Sequence, residues 1–350
     1  MKTKINFTFL FSVFVLLIFI PQSLIFSQNE NSPDFRVMFY NVENLFDTFD
    51  DPDKRDEEFL PNGDRYWTNR RFNDKLRRIF QVVIAVGEGK QPALIGLCEV
   101  ENRYVLEMLL ERTPLGRMGY KIIHKESPDR RGIDVALLYH EAQFTPIMYN
   151  AIPVIDPDNE NFATRDILYV KGTMETDTLH YYVNHWPSKF GGAIETIPQR
   201  ALAASILKSN TDSIFETNPQ AKIIIMGDFN DAPIEESITK HLGAVSNFNT
   251  VNNTLLYNLS HKHAAQGLGT IKFRGKWELI DQFIVSGALL KGEKIHTSTE
   301  SFRIFEAPFL MEKDEAYLGM KPFRTYIGFR YNDGFSDHLP ILLDLKYKKD

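Results

Sequence analysis

The stretch that most constrains this chain is Ile223-Ile224-Ile225-Met226-Gly227-Asp228-Phe229-Asn230-Asp231-Ala232-Pro233. Four consecutive bulky apolar residues predict a strand covered on both faces, so the sheet that holds it needs a layer on either side. Gly227 ends the run and lets the backbone come close to a neighbour. Strand periodicity places Asp228 and Asn230 on one side and turns Phe229 away into packing. A carboxylate and an amide leaving a buried strand together suit a site. Asp, Asn and Pro suit a plain turn equally well, so the rest of the chain has to decide.

Other apolar runs supply more strands. Residues 35–40 read as a strand ending at Asn41, and residues 93–98 as a second ending at Glu99. Residues 120–124, 133–139, 166–173, 179–185, 279–285 and 339–345 have strand character as well. Thr68 is placed to cap a helix running to Val86, with Phe72, Leu76, Ile79, Phe80 and Val83 on one face and Gly87 at its end. Arg70, Arg71, Lys75, Arg77 and Arg78 are expected on its wet side. A short helix to Arg112 and another over residues 196–207 follow. The segment 47–64 is acidic, with Pro52 and Pro61; it reads as a solvated loop and lacks the spacing of an EF-hand. Many strands, few helices and hairpins mixed with crossovers predict an α/β protein of two packed sheets with helices outside. No linker or repeat divides residues 28–350, which are read as one domain.

Residues 1–27 are set apart. Lys2 and Lys4 precede an apolar run from Phe7 to Ile20, and Ile25-Phe26-Ser27 suits cleavage before Gln28, the pattern of a secretory signal peptide. The expectation is an exported protein, periplasmic or secreted, with no membrane attachment after cleavage. Without the two lysines, the formal charge of −6 becomes −8, which argues against nonspecific coating of nucleic acid but leaves room for a local basic groove. The single Cys98 has no partner for an intramolecular disulfide and reads as a buried core residue.

Several strands end in the same kind of chemistry: Asn41, Glu99, Asn184-His185, Asp228 with Asn230, Asp281 within an apolar run, and Ser336-Asp337-His338. A buried Asp such as Asp281 needs a donor or a cation. Carboxylates without a thiolate cluster suit Mg²⁺, Mn²⁺ or Ca²⁺. A His oriented by an Asp suits water activation, and Asn and His donors suit phosphate oxygens.

These segments resemble the endonuclease/exonuclease/phosphatase superfamily typified by pancreatic DNase. The resemblance rests on Tyr40-Asn41-Val42-Glu43-Asn44, Gly96-Leu97-Cys98-Glu99-Val100, Asn184-His185-Trp186, Gly227-Asp228-Phe229-Asn230, Ile280-Asp281 and Ser336-Asp337-His338, in that order. It is closest to secreted bacterial members. It implies a four-layer α/β sandwich with the site at one edge of two mainly antiparallel sheets. It implies metal binding by Glu99, with Asn41, Asp337 and Asp228, and a water-activating pair of Asp281 and His338. Asp228 and Asn230 are implied on the scissile phosphate, and His185 as a second histidine there, in the place of a general acid. Cys98 departs from the Gln common before the metal Glu.

The superfamily cuts several phosphoesters. Lys189, Arg130 and Arg131 are further candidates for phosphate contact. The stretch from Lys321 to Tyr331, with Arg324 among aromatics, suits either a nucleic-acid platform or a hairpin with its rings packed inward. No convincing membrane hairpin is evident. The expectation is a monomeric, exported, divalent-metal phosphodiesterase acting on DNA or RNA. A phosphatase or sphingomyelinase-like phospholipase is the alternative, and a non-catalytic binding module a more distant one.

Overall fold

The structure, a computed structural model, describes residues 34–349; the expected signal peptide lies outside the described residues. Its two central sheets follow from the apolar runs. The first contains β1 (Phe35–Leu45), β2 (Leu94–Val100), β3 (Tyr120–His124) and β4 (Asp134–His140). Its strand order is Ile295–His296, Ile341–Tyr347, β1, β2, β4, β3, with Phe302–Ile304 also paired to Ile341–Tyr347. The second contains β5 (Thr145–Ile152), β6 (Ile167–Met174), β7 (Asp177–His185) and β8 (Lys222–Asp228), followed by Asp281–Ser286 and Leu256–Asn258. Pairing is antiparallel except β1 with β2 and β7 with β8, each joined by a helical crossover.

The alternation of side chains builds the layers. Val37, Phe39, Ile224 and Met226 point between the sheets and join the central cluster with Leu137, Val183, Phe283 and Leu343. Their neighbours Met38 and Tyr40 face helices α1 (Asn69–Gly87) and α2 (Arg103–Arg112). Ile223 and Ile225 face α3 (Ile197–Thr217). The result is helix, sheet, sheet, helix, the four-layer sandwich. Its central strands are apolar on both faces because they are covered on both sides.

Close packing between strands depends on glycine at two points. A Cβ on Gly227 would lie 2.4 Å from the Asn184 carbonyl oxygen, and one on Gly96 3.0 Å from Met226 Sδ.

The structure corrects several local expectations. Thr68 caps α1, its hydroxyl accepting from the Arg71 N–H, but the left-handed C-terminal residue is Glu88 (φ 48°), one beyond Gly87. Helix α3 continues ten residues past the expected Leu207. The strand β5 and the hairpins 271–278 and 311–322 were not anticipated; β5 is an exposed edge with little periodic apolar signal. Among the described residues no helix is long and apolar enough to cross a membrane.

The acidic segment 47–64 is mostly at the surface, yet Asp47, Asp56 and Phe59 are buried, and Phe59 stacks on Phe46 at 4.1 Å. Beside it the buried Glu101 accepts the Asp47 N–H at 2.6 Å. Burial, with the charges of Asp47, Asp56 and Asp51, pushes the Glu101 carboxyl up to about 9. In the unfolded chain this group ionises near 4.3. Its contribution to stability is therefore complete in acid and is lost as pH rises toward 9. Glu101→Gln, neutral at every pH, is expected to gain on the wild type as pH rises from 5 to 9. Paired melting curves across that range check this, and a pH-independent difference contradicts it.

Candidate active site

The strand ends that carry polar residues meet at one edge of the sandwich, and backbone register brings them there. In the second sheet His185 of β7 lies opposite Asp228 of β8, and Asp228 lies opposite Asp281 of the next strand. Three functional side chains thus come from three adjacent strands at one level. In the first sheet Asn41 pairs with Cys98, and the β2 ladder is irregular between Cys98 and Val100. Glu99 sits in that bulge with φ 59°, a left-handed conformation that re-aims its carboxylate toward Asn41 and Asn44. Asp337 and His338 precede Ile341–Tyr347. The Ser336 hydroxyl donates to the Asn41 carbonyl at 2.7 Å and accepts the His338 N–H at 3.1 Å, which fastens this turn to β1.

Asp228 is the hub. Its Oδ2 accepts from Asn41 Nδ2 at 3.1 Å and lies 3.8 Å from His185 Nε2 and 3.9 Å from His338 Nε2. Asn41 Nδ2 also reaches Glu99 Oε1 at 3.4 Å, and Glu99 Oε2 accepts the Asn44 N–H at 3.0 Å. His338 Nδ1 is 2.7 Å from Asp281 Oδ2, which also accepts from the Thr270 hydroxyl. His338 Nε2 is 4.0 Å from Asp337 Oδ1.

Asn230 reaches the site by a different route from the one periodicity suggested. The strand ends at Asp228, Asn230 takes φ 52°, and its N–H donates to Asp228 Oδ1 at 2.9 Å. Its Nδ2 donates to the Trp186 carbonyl. Phe229 does turn away, packing edge-on to Trp186. Asn41 Oδ1 accepts the Glu43 N–H at 2.9 Å, and its amide nitrogen faces Glu99 and Asp228.

Arg324 is also placed differently. Its guanidinium pairs with Asp337 at 2.9 Å and Glu43 at 3.3 Å, which spends it on the protein's own carboxylates. The aromatics around it mostly pack inward: Tyr326 on Tyr331, Phe323 on Phe335, with Arg71 over Tyr331. Lys189 is half-buried, between Asp231 at 3.8 Å and Glu278 at 3.7 Å. Arg130 and Arg131 are exposed on the loop after Asp129.

Charge explains the ionisation of the site. Burial and then the Asp281 charge raise the Asp228 carboxyl to about 7, against the pull of His338, the Asn230 N–H and Asn41. Burial alone would strip the His338 proton, but the charge and hydrogen bond of Asp281, with Asp228 and Asp337, hold the imidazole well above its ordinary value. His185 goes the other way: burial, then Arg165, Arg131 and His338, push it well below, so it is neutral and suited to hydrogen bonding more than to donating a proton outright. Burial, with Asp228 and Glu99 nearby, holds the Cys98 thiol well up, as suits a core residue and not a nucleophile.

The donor set fits a hard divalent cation. The expected oxygen donors Glu99, Asp228 and Asp337 lie at this edge, the buried Asp281 Oδ1 has no hydrogen-bond partner, and burial followed by the Asp281 charge raises the Asp228 carboxyl. Asp228, Asp281 and His338 have ligand atoms within 4.8 Å of one another. His124, Glu126 and Asp134 form a second such group. There both Asp134 oxygens are already engaged, by His124 at 3.0 Å and the Ser127 N–H at 2.9 Å.

Sequence reasoning missed the layer behind the site. Lys75, expected on the wet face of α1, is 1% exposed and donates to Thr325 Oγ1 at 2.6 Å and the Phe335 carbonyl at 2.7 Å. Glu43, with φ 51°, accepts the Thr325 N–H at 2.6 Å and pairs with Arg324. Burial pushes Lys75 down and Glu43 up, while their mutual attraction opposes both shifts. Glu43, Arg324 and Asp337 form an alternating chain of charges up to the residue before His338, and Lys75 of α1 is joined to it through Thr325. The signal was present in the helix period, since Lys75 falls beside Phe72, Leu76 and Ile79. Arg165 was also missed: paired with Asp129 at 3.0 Å, it donates to the carbonyls of His185 and Trp186.

A sequence profile described as the Endonuclease/Exonuclease/phosphatase family matches residues 36–347. No curated protein matches the chain significantly. Solved structures match its fold at low identity. D. rerio TDP2 complexed with single strand DNA product is 13% identical with a TM-score of 0.53, over 89% of this chain and 98% of that one. The human Nocturnin catalytic domain with bound sulfate is 15% identical, TM-score 0.53, over 91% and 96%. A Bacteroides thetaiotaomicron mannosyl-6-phosphatase is 14% identical, TM-score 0.55, over 89% and 100%.

Removing the buried Lys75 ammonium leaves Thr325 Oγ1 and the Phe335 carbonyl without their donor and takes positive charge from near Glu43, at about 1–3 kcal/mol per unsatisfied buried group. Lys75→Met is expected to lower stability by about that amount in urea unfolding, and adding Glu43→Gln to recover a large part of it. A loss below about 1 kcal/mol, or a double variant as unstable as the sum of the singles, contradicts this coupling.

Proposed function

The chain belongs to the endonuclease/exonuclease/phosphatase family and is a phosphoester hydrolase; on that premise we propose that it is an exported, divalent-metal-dependent phosphodiesterase that cleaves nucleic acid. The observation that carries the chemistry is Asp228 lying 3.8 Å from His185 and 3.9 Å from His338, with Asp281 hydrogen-bonded behind His338. Support for a nucleic-acid substrate comes from the TDP2 complex with single-stranded DNA and from Lys189 at the site edge. Export is supported by the basic start and apolar run before Gln28.

Held by Glu99 with Asp228 and Asp337, a divalent cation would offset charge on the phosphate and on the acid cluster. With that charge offset, the His338 imidazole would lose part of the attraction that holds its proton. Asp281, itself held by Thr270, fixes it so that Nδ1 is engaged and Nε2 points toward Asp228 and Asp337. Nε2 then takes a proton from the attacking water, and Asp281 stabilises the imidazolium that forms. His185, kept neutral, and the second N–H of the Asn230 amide hydrogen-bond the phosphate oxygens as negative charge builds on them. Arg165 holds the His185–Trp186 backbone in place for this.

The protein with Mg²⁺ or Mn²⁺ is expected to degrade plasmid DNA or RNA, and EDTA to abolish the reaction. His338→Gln is expected to lower kcat by about 10²- to 10⁴-fold, the usual worth of a general base. Hydrolysis of a sugar phosphomonoester such as mannose 6-phosphate, with no nucleic acid cut, contradicts the substrate assignment. Wild-type turnover in His338→Gln contradicts the assignment of the base.

A further inference from the structure

The segment that leaves the site from His185 reads Trp186-Pro187-Ser188-Lys189-Phe190-Gly191-Gly192-Ala193-Ile194-Glu195. Its Phe190 side chain is 93% exposed, the ring covered on neither face. A phenylalanine set in water forgoes the burial that normally stabilises it, and with Ile194, 78% exposed, it gives this loop an apolar tip beside Lys189.

The loop's base is held firmly. The Thr196 hydroxyl donates to the Gly192 carbonyl at 2.8 Å, and the buried Arg200 donates to Thr196 Oγ1 at 2.7 Å and the Ala193 carbonyl at 3.2 Å. Arg200 also pairs with Asp231 at 2.7 Å, three residues after Asp228. Gly192 adopts φ 129°, a conformation that strains any residue with a side chain, so the turn favours glycine. Near the tip the Lys189 ammonium lies 3.8 Å from Asp231 and 3.7 Å from Glu278, beyond hydrogen-bond reach of either carboxylate. Those residues stand three positions after Asp228 and three before Asp281. The ring next to Lys189 is therefore mounted on the rim of the catalytic edge.

We propose that Phe190 is a stacking platform for an unpaired base of a single-stranded nucleic acid, with Lys189 on the neighbouring backbone phosphate. An aromatic face beside a cation is the pairing by which proteins grip single strands. The stretch from Lys321 to Tyr331 promised that pairing in sequence, but its Arg324 is bound to Glu43 and Asp337 and most of its rings are packed. Phe190 and Lys189 supply it instead. The assignment rests on the nucleic-acid reading above and adds the feature of the substrate that is gripped.

The test measures kcat and KM with a single-stranded oligonucleotide and with one of equal length that is abasic beside the cleaved bond. Phe190→Ala is expected to raise KM for the first about fivefold or more with kcat within about twofold, and Phe190→Trp to restore it. With the abasic oligomer the wild type and Phe190→Ala are expected to share one KM. The indole introduced by Phe190→Trp is expected to lose fluorescence on adding the first oligomer but not the second. Equal KM for wild type and Phe190→Ala on the first oligomer overturns the platform while leaving the nuclease reading intact, as does an equal rise with the abasic oligomer. Failure of the wild type to cut either oligomer, with a phosphomonoester turned over, overturns the nuclease reading and the platform with it. Sedimentation with phosphatidylglycerol vesicles that Phe190→Ala abolishes marks the ring as a lipid anchor and also overturns it.

Discussion

Two carboxylates, Asp228 and Asp281, face each other across adjacent strands near the centre of a sheet, and the rest of the site is arranged around that repulsion. Neither group has water to spread its charge. Asp281 is answered by His338 and Thr270, and Asp228 by Asn41 and the Asn230 N–H. These neighbours leave an oxygen of Asp281 unpartnered and the Asp228 carboxyl raised to about 7. A polar cluster in that condition is a poor core and a ready place for a cation, because local satisfaction is incomplete and of one sign.

The two sheets contribute unequally to the chemistry. The second supplies His185, Asp228 and Asp281 by simple register. The first delivers its carboxylates through irregularity: Glu43 and Glu99 both take left-handed conformations near interruptions of their ladders. Regular strands would alternate these side chains into the apolar layers. The bulges turn them to the edge, where Glu99 meets Asn41 and Glu43 anchors Arg324 and Thr325. Behind this the buried Lys75 links α1 to the turn that presents Asp337 and His338, so helix packing and site geometry are coupled.

The sandwich and most strand positions were legible because buried strands are apolar runs and their ends carry polar residues at odds with burial. Asp281 within Leu279–Val285 was legible for the same reason. Lys75 was misread because its charge was allowed to outweigh its place in the helix period. Glu43 and Asn230 depend on backbone φ that composition does not reveal, and Asn230 joins Asp228 through a turn and not through strand alternation. The length of α3 was hidden by its polar second half, Ser209 to Thr217, which still packs Thr211 and Phe215. Arg324 looked like a ligand contact because its two carboxylate partners are distant in sequence.

The central claim is that Glu99, Asp228 and Asp337 share one divalent cation beside the Asp281–His338 pair. A crystal soaked in Mn²⁺ and measured at the manganese absorption edge tests it most directly. The account predicts an anomalous peak at about 2.0–2.2 Å from oxygens of Glu99 and of Asp228 or Asp337. A peak at His124, Glu126 and Asp134 with none against Glu99 would contradict it.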